Sequence, residues 1–236
     1  MMIVKKCYNC ESEQHKFYAQ ENGFQLVKCD KCGLLFVNNR PNDDEITQAH
    51  MQGKHRGIND FSVTGSYNSK KIPQYLHILK DLFSDDLKAK TWLDIGCGHG
   101  EFITAVQTYS KNRIDVKGTD PNVHKQKSAQ MRGLNVSYFD IDSHKERYDI
   151  ISMLNVYSHL PNPPTFLKSL KKLLYPGSEL ILETGDTADF KAQDHYRPFY
   201  LPDHLSFASE RIVVDILEKL GFEIVCIKKY PLCGLI

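Results

Sequence analysis

The sequence has little of what a polyanion-binding surface or a membrane segment needs. Its 236 residues carry 30 Lys and Arg against 29 Asp and Glu, a formal charge of +1. That is no basic excess of the size a nucleic-acid or anionic-membrane surface requires. No apolar run approaches the roughly 20 residues of a membrane-spanning helix. The start, Met1 to Cys10, lacks the apolar core of a secretion signal, so a cytoplasmic protein is expected. There is no internal repeat and no low-complexity tract. With 41% hydrophobic and 25% charged residues, wholesale disorder is excluded. Cysteine is sparse outside the first 32 residues, where four of the seven lie; Cys97, Cys226 and Cys233 follow as ordinary thiols. In a reducing compartment such a cluster points to a metal rather than to disulfides.

The early four are Cys7, Cys10, Cys29 and Cys32, two C-x2-C pairs separated by 18 residues. Two knuckles brought together by a hairpin supply four thiolates for a tetrahedral zinc, and four protein ligands leave no open position, so the zinc is structural. Gly33 eases the turn beneath the last ligand, and Phe24–Lys28 alternates as a strand would. Residues 1–40 are expected to form a zinc ribbon. Their six basic and four acidic side chains give +2, which four thiolates and one Zn²⁺ cancel. A neutral ribbon weighs against RNA binding. Residues 41–69 are polar and read as a linker with room for short helices.

From Lys70 to the end at residue 236 helical and strand patterns alternate. Helices are expected over Ile72–Phe83, Phe102–Tyr109, Pro121–Met131 and Pro163–Leu174, with a last one capped by Ser209 and stopped by Gly221. Strands are expected over Thr91–Ile95, Ile114–Thr119, Leu134–Phe139, Tyr148–Leu154, Glu179–Thr184 and Phe222–Ile227, with Pro176-Gly177 a turn. This order predicts a doubly wound, mostly parallel α/β sheet with helices on both faces. Little chain remains after residue 227 for a hairpin and a final strand, so either the last strand is missing or a second copy covers the sheet edge as a homodimer.

The run Leu93-Asp94-Ile95-Gly96-Cys97-Gly98-His99-Gly100 joins a strand to a helix. Its glycines let the backbone pass close under a ligand, and the missing Lys-Ser/Thr excludes a P-loop. Asp94, at the strand end, suits a ligand ammonium group. Asp120, in Gly118-Thr119-Asp120 after the next strand, suits the two ribose hydroxyls of a nucleoside.

Together with YDIISMLNVYSHLPNP (148–163), PGSELILETGD (176–186), PDHLSFAS (202–209) and LEKLGFEIV (217–225), these runs resemble class I S-adenosylmethionine-dependent methyltransferases. The resemblance covers roughly residues 70–229. With the ribbon in front, the chain is similar to small bacterial methyltransferases acting on sugars or other small metabolites. It implies a Rossmann-like methyltransferase fold and S-adenosylmethionine as cofactor. Asp94, Gly96 and Gly98 would line the methionine part, Asp120 the ribose, Asp140 or its neighbour Asp142 the adenine, and Asn155 would close over the cofactor. His159 and His204 follow the fourth and fifth strands. They fall at the carboxyl edge, where open α/β sheets bind ligands, and an imidazole is suited there to act as general base toward an acceptor. The expected partner is a small-molecule substrate. The competing readings are an RNA or protein methyltransferase that grips its target with the ribbon, and a non-catalytic cofactor-binding scaffold.

Overall fold

The computed structural model describes residues 1–83 and 87–230, in which the chain builds two four-stranded sheets and two short strand pairs. The first segment contains β1 (Met2–Ile3), β2 (His15–Glu21), β3 (Phe24–Cys29), β4 (Leu35–Val37) and β5 (Asn39–Arg40). β2 and β3 are joined by a two-residue turn, Asn22-Gly23, with φ of 51° and 87°. That pair of left-handed residues gives the turn whose twist matches an antiparallel hairpin. β4 adds to β3, and β1 pairs with β5.

Residues 41–69, read as a linker with room for short helices, carry one helix and one strand pair. Helix α1 (Asp43–Gln52) starts at a reciprocal cap in which the Asn42 side chain accepts from the Glu45 N–H and the Glu45 carboxylate accepts from the Asn42 N–H. A small antiparallel pair follows, β6 (Lys54–His55) with β7 (Phe61–Ser62).

The second sheet arises from α2 (Ile72–Leu82), β8 (Thr91–Ile95), α3 (Glu101–Ser110), β9 (Asp115–Thr119), α4 (Val123–Gln130), β10 (Tyr148–Leu154), α5 (Pro163–Lys171) and β11 (Leu174–Glu183). Its order is β11-β10-β8-β9, all parallel. Trp92, Leu93 and Ile95 of β8 and Ile150, Ile151 and Met153 of β10 are buried. Near-continuous apolar runs of this kind belong to strands covered on both faces. On one face Trp92 meets the rings of Phe83 and Phe102 edge-on. On the other, Leu93 and Ile151 share a cluster with Leu167 and Leu170 of α5 and with Ile212 and Ile216. The sheet is doubly wound, as the alternation of elements predicts. Among the described residues no helix is long and apolar enough to cross a membrane.

Several local expectations are corrected. The third strand, Leu134–Phe139, shrinks to one parallel bridge between Val136 and Gly118: Leu134 and Val136 are buried between exposed neighbours, but the ladder does not extend beyond the bridge. Phe222–Ile227 forms no strand; Val225 is 86% exposed, and no partner strand lies beside the segment among the described residues. Helix α4 starts at Val123, capped by the Asn122 side chain, rather than at Pro121. Helix α5 ends at Lys171, since Leu174 already pairs with Tyr148 in β11. The Pro176-Gly177 turn is then a bulge within that strand: the register jumps from Tyr148↔Leu174 to Ile150↔Glu179. Ser209 makes no side-chain cap; Asp186 Oδ1 accepts from the Glu210 N–H instead. Cys97 is buried, Cys226 exposed, and Cys233 lies outside the described residues.

Between β11 and the last helix, α6 (Glu210–Lys219), the chain contributes β12 (Ser206–Phe207), which pairs antiparallel with β4. The cysteine-bearing sheet therefore reads β12-β4-β3-β2 and contains a strand from each part of the molecule. Side chains fasten the same junction. The Glu21 carboxylate accepts from the Phe199 and Leu201 N–H groups (2.8 and 3.1 Å), and Lys28 Nζ donates to the Ala188 carbonyl (2.8 Å). Arg211 donates to the Cys32 carbonyl (2.8 Å) and the Tyr8 hydroxyl to Ser206 Oγ (2.9 Å). Leu26 and Phe36 belong to one apolar cluster with Leu93, Ile151 and Phe199.

Candidate active site

The four early cysteines converge. Cys7 Sγ lies 3.4 Å from Cys32 Sγ, Cys10 Sγ lies 3.5 Å from Cys29 Sγ, and all four sulfurs fall within 4.8 Å of one another. Sulfurs about 2.3 Å from one tetrahedral zinc stand about 3.8 Å apart, so the quartet fits such an ion. The two knuckles fold alike. The Glu11 N–H bonds to the Cys7 carbonyl and the Gly33 N–H to the Cys29 carbonyl, each at 2.9 Å. The residue after the second cysteine is left-handed in both, with φ of 57° at Glu11 and 83° at Gly33.

The carboxyl ends of β8, β9 and β10 gather the glycine loop and its acidic neighbours. Asp94 is buried, and its Oδ1 accepts from the Ser152 hydroxyl at 2.6 Å, while Ser152 Oγ accepts from Trp92 Nε1–H at 2.9 Å. Burial pushes Asp94 up to about 7; the Ser152 hydrogen bond opposes that rise and the nearby Asp120 carboxylate adds to it. Gly96 has φ of 66°, and a Cβ there would stand 2.3 Å from Val156 Cγ2. Gly98 has φ of 56° and nothing within 4 Å of its Cβ position. The backbone at Gly98 thus lies open beneath free space, where a bound molecule can approach it closely. Asp120 is buried and ties the loop to the end of β9, accepting from the Gly98 N–H at 2.9 Å and the Asn122 N–H at 2.8 Å. Asn155, exposed and left-handed at φ 55°, follows β10 and precedes the Val156 that closes on Gly96.

Buried carboxylates and an open glycine backbone suit the ammonium, ribose hydroxyls and carboxylate of S-adenosylmethionine. The structure brings Asp94, Gly96, Gly98, Asp120 and Asn155 to one edge. Asp140 lies in an exposed turn, where its Oδ1 accepts from the Asp142 N–H and its carbonyl from the His144 N–H and the Ser143 hydroxyl. The segment before α2 folds over the loop: His99 Nε2 donates to the Thr64 carbonyl (3.0 Å), Asn122 Nδ2 donates to Thr64 Oγ1 (3.3 Å), and the Asn68 N–H donates to Glu101 (2.8 Å).

His159 and His204 do come together, with ring centroids 4.8 Å apart. His159 ends a 3-10 turn just past β10, and its Nδ1 donates to the carbonyl and Oδ1 of Asp203 (3.0 and 3.1 Å). His204 Nδ1 donates to the Phe199 carbonyl at 2.8 Å. Each ring is thereby oriented through one nitrogen, leaving Nε2 for another partner. Three members of the cluster carried no usable sequence signal: His50 of α1, His55 of β6 and Asp203. Asp203 Oδ1 lies 3.0 Å from His55 Nε2 and 3.9 Å from His50 Nε2. The two histidines fall in the stretch read as a linker, and Asp203 entered the sequence reading only as part of the run PDHLSFAS. Burial, reinforced by the His159 charge, pushes His50 and His204 down to about 4. Burial also pulls on His159, but the Asp203 carboxylate and its hydrogen bonds outweigh it and raise this histidine. In return His159 and His55 hold Asp203 well below the usual carboxylate range against the cost of its burial.

A parallel order of β9-β8-β10-β11 with a glycine loop after the first strand in sequence, β8, and an acid after the second, β9, defines a Rossmann-like methyltransferase fold. The chain belongs to the methyltransferase domain family, whose sequence model matches residues 67–227. It is similar to ubiquinone biosynthesis O-methyltransferases, with 31% identity over 121 residues to the one from Coxiella burnetii, covering 45% of this chain and 47% of that protein. To the one from Serratia proteamaculans the identity is 27% over 105 residues, covering 40% and 42%. The chain therefore spans under half the length of these curated relatives. Among solved structures it is similar to a methyltransferase of Thermotoga maritima described as a possible histamine N-methyltransferase. That match has a TM-score of 0.52 and 20% identity, over 65% of this chain and 71% of that one. The [4+2]-cyclase SpnF matches with a TM-score of 0.53 and 18% identity, over 69% and 60%. Likeness at such identities is one of fold, and a cyclase among the matches illustrates that this fold alone does not set the reaction.

Proposed function

We propose that the protein transfers the methyl group of S-adenosylmethionine to a hydroxyl-bearing small metabolite: a sugar, a nucleotide-linked sugar or a related compound. The observation that carries this reading is the convergence of Asp94, Gly96, Gly98 and Asp120 at the carboxyl ends of β8 and β9, with open space above Gly98. When bound, the cofactor supplies an electrophilic methyl group, and the protein's task is alignment and proton handling. In this reading Asp120 holds the ribose, Asp94 faces the ammonium end, Asn155 closes over the cofactor and Asp140 reaches for the adenine from its turn. His159, fixed through Nδ1 by Asp203, keeps Nε2 for the acceptor's proton, and His204 is the second candidate base. Cys7, Cys10, Cys29 and Cys32 hold a structural zinc. An oxygen acceptor is supported by the O-methyltransferase name of the curated relatives. A small acceptor rather than RNA is supported by the balanced charge of residues 1–40. The cytoplasm is the compartment that fits the reduced thiols.

Calorimetric titration with S-adenosylmethionine and S-adenosylhomocysteine tests the cofactor half. Saturable binding is expected, weakened at least tenfold by Asp120→Ala. No binding of either compound at millimolar concentration removes the reading. A panel of sugar nucleotides, RNA and peptides supplied with labelled methyl donor tests the acceptor. Label entering only RNA or peptide replaces the small-molecule assignment.

A further inference from the structure

We infer that His50, His55 and Asp203 form a second metal site, which takes a first-row divalent cation of the zinc type through two imidazole nitrogens and a carboxylate oxygen.

The three ligating atoms lie within 4.8 Å of one another. Atoms about 2.1 Å from one ion stand about 3.0 Å apart at right angles and about 3.4 Å apart in a tetrahedron. The distances of 3.0 Å from His55 Nε2 and 3.9 Å from His50 Nε2 to Asp203 Oδ1 suit ligands around a common centre. Hydrogen bonding does not account for the place of His50 in the arrangement. His55 is 2% exposed and its Nε2 meets the Asp203 carboxylate at 3.0 Å, whereas His50 Nε2, 3.9 Å from the same oxygen, is buried without a hydrogen-bond partner. Buried polar nitrogens are nearly always paired, so an unpaired one beside a carboxylate that already faces a second imidazole calls for an explanation. A cation shared by His50, His55 and Asp203 satisfies it.

The surroundings are those of a built site. His159 Nδ1 donates to the same Asp203 oxygen and to the Asp203 carbonyl, which fixes the carboxylate as hydrogen bonds from neighbouring residues do around metal ligands. Phe61 stacks on the His55 ring at 5.5 Å and fixes its plane. The set contains no sulfur, unlike the cysteine quartet, and imidazole with carboxylate suits zinc, iron, cobalt or nickel rather than calcium. His50 and His159 are the partly exposed members, with side chains 20% and 26% exposed. The ion is therefore reached from that side, and three protein ligands leave a position there for water or an acceptor oxygen.

The test is a metal count and a spectrum on the full-length protein. Protein purified under zinc-replete conditions and exchanged into metal-free buffer is titrated with Co²⁺ alone. One equivalent is expected at the histidine site, with weak ligand-field absorption and no thiolate charge-transfer intensity. Elemental analysis of the zinc-saturated protein should give two ions per chain, falling to one in His50→Ala/His55→Ala and to one in Cys7→Ser/Cys32→Ser. Because the histidine variant removes packed rings, its circular dichroism is compared with that of His55→Gln, which keeps a polar side chain but should bind Co²⁺ at least a hundredfold more weakly. A zinc-saturated wild type holding no ion beyond those bound by cysteine, or undiminished Co²⁺ binding by both histidine variants, overturns the inference. Failure of S-adenosylmethionine to bind would leave it standing, since the metal count does not involve the cofactor.

Discussion

Replacing Gly96 by alanine probes the joint between the glycine loop and the turn after β10. Gly96 has φ of 66°, a left-handed conformation that costs a residue with a Cβ about 1–2 kcal/mol. The new Cβ would also stand 2.3 Å from Val156 Cγ2, far inside the about 3.5–4.0 Å of a relaxed carbon–carbon contact. Valine is stiff at χ1, so the overlap is relieved by moving backbone rather than by turning a side chain. Overpacking of this kind costs about 1–3 kcal/mol, which brings the expected loss to about 2–5 kcal/mol. The assay is urea unfolding of Gly96→Ala, Val156→Ala and the double variant. The double variant relieves the overlap but keeps the left-handed strain, so the two changes should couple favourably by about 1–3 kcal/mol. Cofactor affinity should fall in Gly96→Ala and partly recover in the double variant, because the loop returns toward its place. Gly96→Ala within about 0.5 kcal/mol of wild type, or strictly additive variants, would refute the close approach of Val156 on which the reasoning rests.

Ser152→Ala strands both Trp92 Nε1–H and Asp94 in the core, and is expected to cost about 1–3 kcal/mol with a change in the emission of the only tryptophan. Unchanged stability would show that the relay is not formed. Asp94 gives a pH signature. Its folded pKa of about 7 lies above the ordinary 3.8, so its contribution is complete below pH 4 and is lost as pH rises to about 7. At 1.36 kcal/mol per pKa unit the loss is about 4 kcal/mol, and it should appear as the pH-dependent difference between wild type and Asp94→Asn; parallel profiles from pH 4 to 8 would contradict it. Removing zinc with a chelator, or Cys7→Ser, should lower Tm and loosen the β4–β12 pairing, seen as faster amide exchange at Val37 and Phe207. Unchanged exchange would dissociate the ribbon from that pairing. β11 is an edge strand among the described residues, and light scattering at micromolar concentration should report two chains; a monomer rejects a second copy as its cover.

Strands β8 and β10 were legible because both their faces are buried: Trp92, Leu93, Ile150 and Ile151 announce themselves as apolar runs. The glycine loop was legible because chemistry that local must be encoded in neighbouring residues. The third strand misled because Leu134 and Val136 alternate correctly, yet alternation says nothing about whether a ladder forms beside them. Phe222–Ile227 misled for the same reason. The histidine cluster was hidden for a different one. His50 and His55 reach Asp203 across some 150 residues, and each alone is a polar residue in a polar stretch. Long-range convergence leaves no spacing to count, whereas the cysteine pairs carry theirs within a few residues.

The pairing of β4 with β12 ties the loop before α6 to the cysteine-bearing sheet. A chain beginning after residue 40 would lose Phe36 from above Ser206, the carboxylate of Glu21 from beneath Phe199 and Leu201, and the hydroxyl of Tyr8 from Ser206. The loop between β11 and α6, which carries Asp203 and His204, would then have lost one whole side of its support. The cysteine module is thus less an attachment than an outer wall of the loop that carries Asp203 and His204. Grafting it onto another methyltransferase, or trimming it away, would be an operation on that loop as well.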